Sequence, residues 1–225
     1  MNAPRVVALV AARNEEDRIA ATVTALAPMA TEVAVIDDGS RDATAAVAAA
    51  AGALVLRSRR HRGKGRALEA ALARIAPADV WLFADGDLGS SAASLAPVLE
   101  RVTSGAADLA IAIFPPARAG GFGLVKRAAA SAIRRLTTLR AVEPLSGQRA
   151  VSGTTLDAVR PLAGGFGLET GMTIDAARAG LRIEEIHVDG LEHRATYRDL
   201  RGFAHRARQG FDILLALIPR AVGVR

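Results

Sequence analysis

Apolar runs of strand length alternate with amphipathic stretches through the first half of the chain. Val6-Val7-Ala8-Leu9-Val10, Val33-Ala34-Val35-Ile36, Ala53-Leu54-Val55-Leu56 and Val80-Trp81-Leu82-Phe83-Ala84 are continuous apolar runs, which predicts strands, the last of them buried. Between them, Glu16 to Leu26, Asp42 to Ala51 and Arg66 to Ile75 place their apolar residues at helical intervals. This βαβαβαβ order predicts an α/β fold, a mostly parallel, doubly wound sheet flanked by helices. The second half is less regular. Ser91 to Val102, Leu124 to Leu139 and Ser152 to Val159 read as helices, Leu109 to Ile113 and Arg182 to Val188 as strands, and Pro115 to Gly123 as a loop. No linker or internal repeat interrupts the chain, so a single domain is expected.

Phe211-Asp212-Ile213-Leu214-Leu215-Ala216-Leu217-Ile218-Pro219 is apolar but short, and Asp212 and Pro219 break it. It falls below the ~18 uninterrupted apolar residues of a membrane span. It reads as a docked terminal helix, with membrane contact and a homodimer as alternatives. Met1-Asn2-Ala3-Pro4-Arg5 leads straight into the first strand, without the apolar region of a signal peptide. With no Cys in the chain, disulfides, thiolate metal sites and thiol catalysis are excluded, and a cytoplasmic protein, peripheral to the membrane if at all, is expected. The formal charge of +6 and pI near 11.0 fit either a generic basic surface or partners that bear phosphate.

Candidate chemistry gathers where strands end. Asp85-Gly86-Asp87 follows the apolar run of Val80 to Ala84, and in open α/β sheets ligands bind in the crevice outside the carboxyl ends of the strands. Two clustered carboxylates need a compensating cation, and a hard divalent ion that carries substrate phosphates, Mg²⁺ or Mn²⁺, suits them. Ala11-Ala12-Arg13-Asn14-Glu15-Glu16 follows the first strand. Asn14 there is either a helix cap or part of a wall against a nucleoside, with Glu15 accepting from ribose hydroxyls. Asp37-Asp38-Gly39-Ser40 is either a turn or a base site in which Asp38 accepts an N–H. In His61-Arg62-Gly63-Lys64-Gly65-Arg66 the glycines flank Lys64 ahead of a helix, a place where backbone N–H groups and a point charge meet a diphosphate. Leu145-Ser146-Gly147-Gln148-Arg149-Ala150 and Gly165-Phe166-Gly167-Leu168-Glu169 are glycine-marked turns with polar groups, and His193 is a candidate nitrogen ligand for a metal at the aspartates.

Each motif is ambiguous alone, but their order is not. Strand, Ala-x-Asn-Glu-Glu, strand, Asp-Asp-Gly-Ser, Gly-Lys-Gly, strand, Asp-Gly-Asp resembles the nucleotide-sugar half of a GT-A glycosyltransferase of the family 2 type. Pro144-Leu145-Ser146-Gly147, Gly165 to Glu169, Ile174-Asp175 and His193-Arg194 are similar in order and spacing to glucosyl-3-phosphoglycerate synthases. The resemblance implies a Rossmann-like GT-A domain with residues 1–114 as the nucleotide-sugar half and 115–225 as the acceptor half. It implies a metal on Asp85, Asp87 and His193, and Asp87, Lys64 and Glu169 as the catalytic set. Donor contacts are then expected from Ala11, Ala12, Asn14, Glu15, Asp38, Ser40, Lys64, Asp85 and Gly86. Acceptor contacts are expected from Gly123, Lys126, Ser146 and Arg194. Where those synthases read Gly-Arg-Val-Thr at the phosphoglycerate, this chain reads Gly123-Leu124-Val125-Lys126.

The expected activity is transfer, with retention, of a sugar from a nucleotide diphosphate sugar, UDP-glucose or GDP-mannose first. The expected acceptor is small and anionic, because Arg118, Lys126, Arg127 and Arg194 flank the site. A polyprenyl-phosphate acceptor at a membrane is the alternative, resting on the basic charge and the apolar Phe211 to Ile218 stretch. No nucleic-acid partner is expected. A sugar-phosphate nucleotidyltransferase would need a glycine-rich, Arg-bearing loop after the first strand, and Ala11-Ala12-Arg13-Asn14-Glu15 is not one.

Overall fold

The apolar runs of the sequence become neighbours in one sheet. The computed structural model describes residues 3–115, 123–165, 167–192 and 212–221. Its strands are β1 (Val6–Ala12), β2 (Glu32–Asp37), β3 (Leu54–Arg57), β4 (Val80–Asp85), β5 (Leu109–Ile113), β6 (Arg149–Ser152) and β7 (Ile183–His187), in the spatial order β3-β2-β1-β4-β6-β5-β7. Strands β1 to β4 run parallel, β5 pairs β7 parallel, and β6 alone is antiparallel, to both β4 and β5. The helices are α1 (Ile19–Leu26), α2 (Thr44–Ala50), α3 (Lys64–Leu72), α4 (Ala96–Thr103), α5 (Gly123–Leu136), α6 (Gly153–Val159), α7 (Gly167–Arg178) and α8 (212–221).

Side chains alternate across the sheet with the period of two that a strand imposes. Val6, Ala8 and Val10 of β1 join Leu82 of β4 against Ile19, Val23 and Leu26 of α1 and Val98 and Val102 of α4. Val7 and Leu9 join Trp81 and Phe83 against Leu68 and Leu72 of α3, Leu156 of α6 and Met172 of α7. Burying a Val or Leu side chain fully stabilises by about 1.5–3 kcal/mol, so these two apolar layers hold the helices on both faces.

Several elements differ from the sequence reading. Leu145 to Ala150 is not all turn: its last two residues open β6, and Ser152 caps α6 by accepting from Thr155 N. The region read as one helix from Ser91 is a 3-10 segment, Gly89–Leu95, followed by α4. Pro97 lies in the first turn of α4, where a missing N–H costs no hydrogen bond, so the α-helix starts there. Helix α3 starts at Lys64 rather than Arg66, with Gly63 at φ 85° as the residue before it. Asn14 is not a helix cap, since α1 begins only at Ile19. It is the one described non-glycine residue at positive φ, 57°, a conformation that asparagine tolerates better than most.

Helix α8 docks on α7 as the sequence reading expected. A side chain at Gly167 would stand 2.8 Å from Asp212 O, and one at Gly171 would stand 2.9 Å from Arg220 Nη2. The two glycines therefore let the helices close up, and buried Arg220 of α8 pairs with Asp175 of α7. Among the described residues no helix is long and apolar enough to cross a membrane.

Candidate active site

Register brings the first motifs together. Ala12 of β1 is level with Asp37 of β2, and Ala11 is level with Asp85 of β4, so all three strands deliver their following loops to one edge of the sheet. Gly86 sits tight against β1: its N–H donates to Ala11 O at 2.9 Å, and a Cβ there would meet Ala12 Cβ at 2.9 Å. Only glycine lets the Asp85-Gly86-Asp87 turn approach so closely. The turn is also tied to α1, because Arg18 Nη1 donates to Asp87 O (3.0 Å) and Thr22 Oγ1 donates to Gly86 O (2.9 Å).

The loop after β1 and the loop after β2 are stitched into one wall. Asn14 N donates to Ser40 Oγ (3.0 Å), Arg41 N to Asn14 Oδ1 (2.9 Å) and Glu15 N to Thr44 Oγ1 (2.9 Å). Asp38 also has partners within the chain. Its Oδ1 accepts from Arg62 N (2.7 Å), and its Oδ2 accepts from Gly63 N (2.8 Å) and contacts His61 Nδ1 (2.7 Å). The carboxylate thus holds the 61–63 loop that leads into Lys64. Beside it, Gly39, Ser40, Arg57, Ser58 and Arg59 line a cleft of about 270 Å³.

Lys64 stands at the centre. Its Nζ lies 2.7 Å from Asp85 Oδ1 and 2.9 Å from Glu169 Oε1. Burial alone would depress the ammonium, but the Asp85 and Glu169 carboxylates outweigh it and hold its pKa above the ordinary lysine value. Glu169 reaches Lys64 from the first turn of α7 and is itself buried. Gln148 clamps Asp85 from the other side: Nε2 donates to Oδ2 (2.7 Å) while Oε1 accepts from Asp85 N (3.0 Å). Gly147 passes beneath this group, and a Cβ there would run into Lys64 Nζ and stand 2.9 Å from Asp85 Oδ2.

The acceptor-side expectations are met less evenly. Gly123 opens α5. Lys126 Nζ is 2.6 Å from Glu143 Oε2, so its charge is matched within the chain. Ser146 is buried, its Oγ accepting from Gln148 N (3.4 Å). His193, Arg194 and Arg118 lie outside the described residues. Among the described residues no three His, Asp or Glu side chains converge as a metal site.

The structure thus joins Asp85, Lys64 and Glu169, and it adds Gln148, Gly147 and Arg149, which sequence reasoning treated as parts of a turn. A glutamine and an arginine beside a glycine give no local sign of burial, so only the pairing of β6 shows where they go.

Known proteins carry this arrangement further. The family described as Glycosyl transferase family 2 matches residues 7–160. The crystal structure of glucosyl-3-phosphoglycerate synthase from Mycobacterium tuberculosis with phosphoglyceric acid superposes with a TM-score of 0.79 at 30% identity, over 96% of this chain and 80% of that one. The same enzyme with Mn²⁺, uridine-diphosphate and phosphoglyceric acid gives 0.81 at 27%, over 96% and 78%. With Mn²⁺ and uridine-diphosphate-glucose it gives 0.79 at 30%, over 95% and 79%. No curated protein sequence matches the chain significantly. A match over most of the chain, on a parallel sheet with a carboxylate turn at its edge, makes the protein a glycosyltransferase of the GT-A fold that belongs to glycosyl transferase family 2.

Proposed function

We propose that the protein transfers a hexosyl group from a UDP-sugar, UDP-glucose first, to a small phosphorylated acceptor, with retention at the anomeric carbon and with Mg²⁺ or Mn²⁺. The observation that carries this reading is Lys64 held between Asp85 and Glu169 at the carboxyl edge of the sheet. Support for the donor, the metal and the acceptor class comes from the 27–30% identical structures that hold UDP-glucose, Mn²⁺ and phosphoglyceric acid. GDP-mannose is the second donor.

A hard divalent ion fits the residues present. Asp85 and Asp87 offer carboxylate oxygens two residues apart at a strand end, the ligand type such ions take together with phosphate oxygens. His193 would add a nitrogen. Bound there, the ion would neutralise charge that develops on the departing diphosphate. Lys64 adds a fixed cation for the same diphosphate, at no reorganisation cost because Asp85 and Glu169 already hold it. Gln148 fixes the Asp85 carboxylate plane. Glu169, buried beside Lys64, faces the transferred sugar. Residues 1–114 form the donor half and 115–225 the acceptor half, with Gly123, Lys126, Ser146 and Arg194 on the acceptor side. For an anionic acceptor to use Lys126, it would have to displace Glu143.

One observation favours a second acceptor. Leu214, Leu215 and Ile218 are each more than half exposed on α8, an apolar stripe that suits a lipid-linked acceptor. Sugar transfer to a panel of soluble phosphorylated acids and to a polyprenyl phosphate separates the two. Transfer to a soluble acceptor without lipid is expected. Transfer to the polyprenyl phosphate alone would overturn the small-acceptor reading.

A further inference from the structure

Arg149 is only 2% exposed, yet among the described residues every hydrogen bond it makes goes to a neutral oxygen. Its Nε donates to Ser146 O (2.7 Å), and its Nη1 donates to Glu169 O and to Thr173 Oγ1 (2.8 Å each). Its Nη2 reaches Pro144 O at 3.5 Å. A charge taken from water without a paired counter-ion carries a desolvation cost, and hydrogen bonds to neutral oxygens offset only part of it. Burial pushes the guanidinium down to about 10, although Glu169, Glu185 and Glu143 pull the other way. A cation whose folded pKa lies below its unfolded one costs stability at every pH below the folded value, and the cost fades only as pH rises from there toward the unfolded pKa. Stability therefore does not account for this arginine.

Its connections do. Two acceptors on α7 and two in the 144–146 loop converge on one rigid, planar group, which fixes direction as well as distance. The loop runs on through Gly147 to Gln148, the clamp on Asp85. The α7 carbonyl that Arg149 holds belongs to Glu169, whose side chain holds Lys64.

We infer that Arg149 is a positioning residue, fixing α7 against the 144–148 loop and so setting the separation between Glu169 and the Asp85–Lys64 pair. Its hydrogen bonds go to neither Lys64 nor Asp85, and it acts through the residues that bind them. The inference rests on the proposed reading of Lys64, Asp85 and Glu169 as the donor machinery.

Arg149→Met and Arg149→Lys test it, through thermal melting, calorimetry with UDP and Mn²⁺, steady-state sugar transfer and crystal structures. Arg149→Met sheds the desolvation cost of the cation but takes a donor from three buried oxygens, so it should melt close to the parent and keep its nucleotide affinity. Its kcat should fall about 10²-fold, as misplacing a group by about an ångström does, and its structure should show the Lys64–Glu169 contact opened beyond 2.9 Å. Arg149→Lys should regain part of kcat, since an ammonium can serve some of the same carbonyls. A Met variant with parental kcat, a loss of kcat that merely tracks a lower Tm, or an unchanged Lys64–Glu169 contact would each overturn the inference. The contact is measured without substrate. A parent protein that moves no sugar would therefore defeat the proposed function while still leaving Arg149 decided by the structures.

Discussion

Lys64 keeps apart the charges of two carboxylates, Asp85 and Glu169, that it also binds together. Lys64→Met should weaken nucleotide affinity by roughly 10- to 100-fold, the worth of one charge-assisted contact of about 1.5–3 kcal/mol. It should also lower Tm in the metal-free protein, because the two carboxylates are left with no cation between them. Calorimetry and thermal melting measure these, and parental values in both would remove Lys64 from the site. The pH dependence has a definite sign. Since the folded pKa of Lys64 lies above its unfolded value, its contribution to stability is complete below the unfolded lysine pKa, near 10.4, and fades only in more alkaline solution. Lys64 and Asp85 stood out as candidates in the sequence because glycines and a preceding apolar strand marked them, whereas Glu169 stood out only through the family resemblance of Gly165 to Glu169. The in-chain partners of Asp38 were not legible: a carboxylate at a strand end gives no local sign of the backbone it holds, and only the folded 61–63 loop shows it.

Among the elements, β1, β2 and β4 were legible because strands covered on both faces must be continuously apolar, and β3, an edge strand with Leu54 exposed, was legible from its place in the alternation with helices. Strand β6 was not. Ala150-Val151 is too short an apolar run to register, and the strand exists because Arg149 and Val151 find Phe83 and Trp81 across an antiparallel ladder. The docking of α8 was legible from its apolar run, but its anchor was not, because Asp175 and Arg220 lie 45 residues apart. Asp175→Ala leaves Arg220 buried without its partner, and breaking a buried pair in this way costs about 3–5 kcal/mol. Urea unfolding should show a loss of that order, capped by the undocking of α8 if the helix leaves before the rest unfolds. A loss under ~0.5 kcal/mol, typical of a surface substitution, would mean that the glycine-lined contact alone holds α8.

For the molecule as a whole, the order of the motifs was more informative than any one of them. A parallel sheet sends every strand-end loop to the same edge, which is how residues as far apart in sequence as Asn14, Asp38, Lys64 and Asp85 come to share one site. Residues 115–225 stayed less legible, because α5, the 144–148 loop and α7 meet through long-range contacts that leave no periodic trace. The central claim is a divalent ion and Lys64 acting together on a nucleotide diphosphate sugar. Its most direct test is UDP release from UDP-glucose by the purified protein, with Mn²⁺ or Mg²⁺ and a phosphorylated acceptor, beside EDTA-treated protein and Asp87→Ala. Metal-dependent release, lost in EDTA and reduced by ~10³-fold or more in Asp87→Ala, is the predicted result, given the several kcal/mol that a catalytic metal contributes. Undiminished release in EDTA would contradict it.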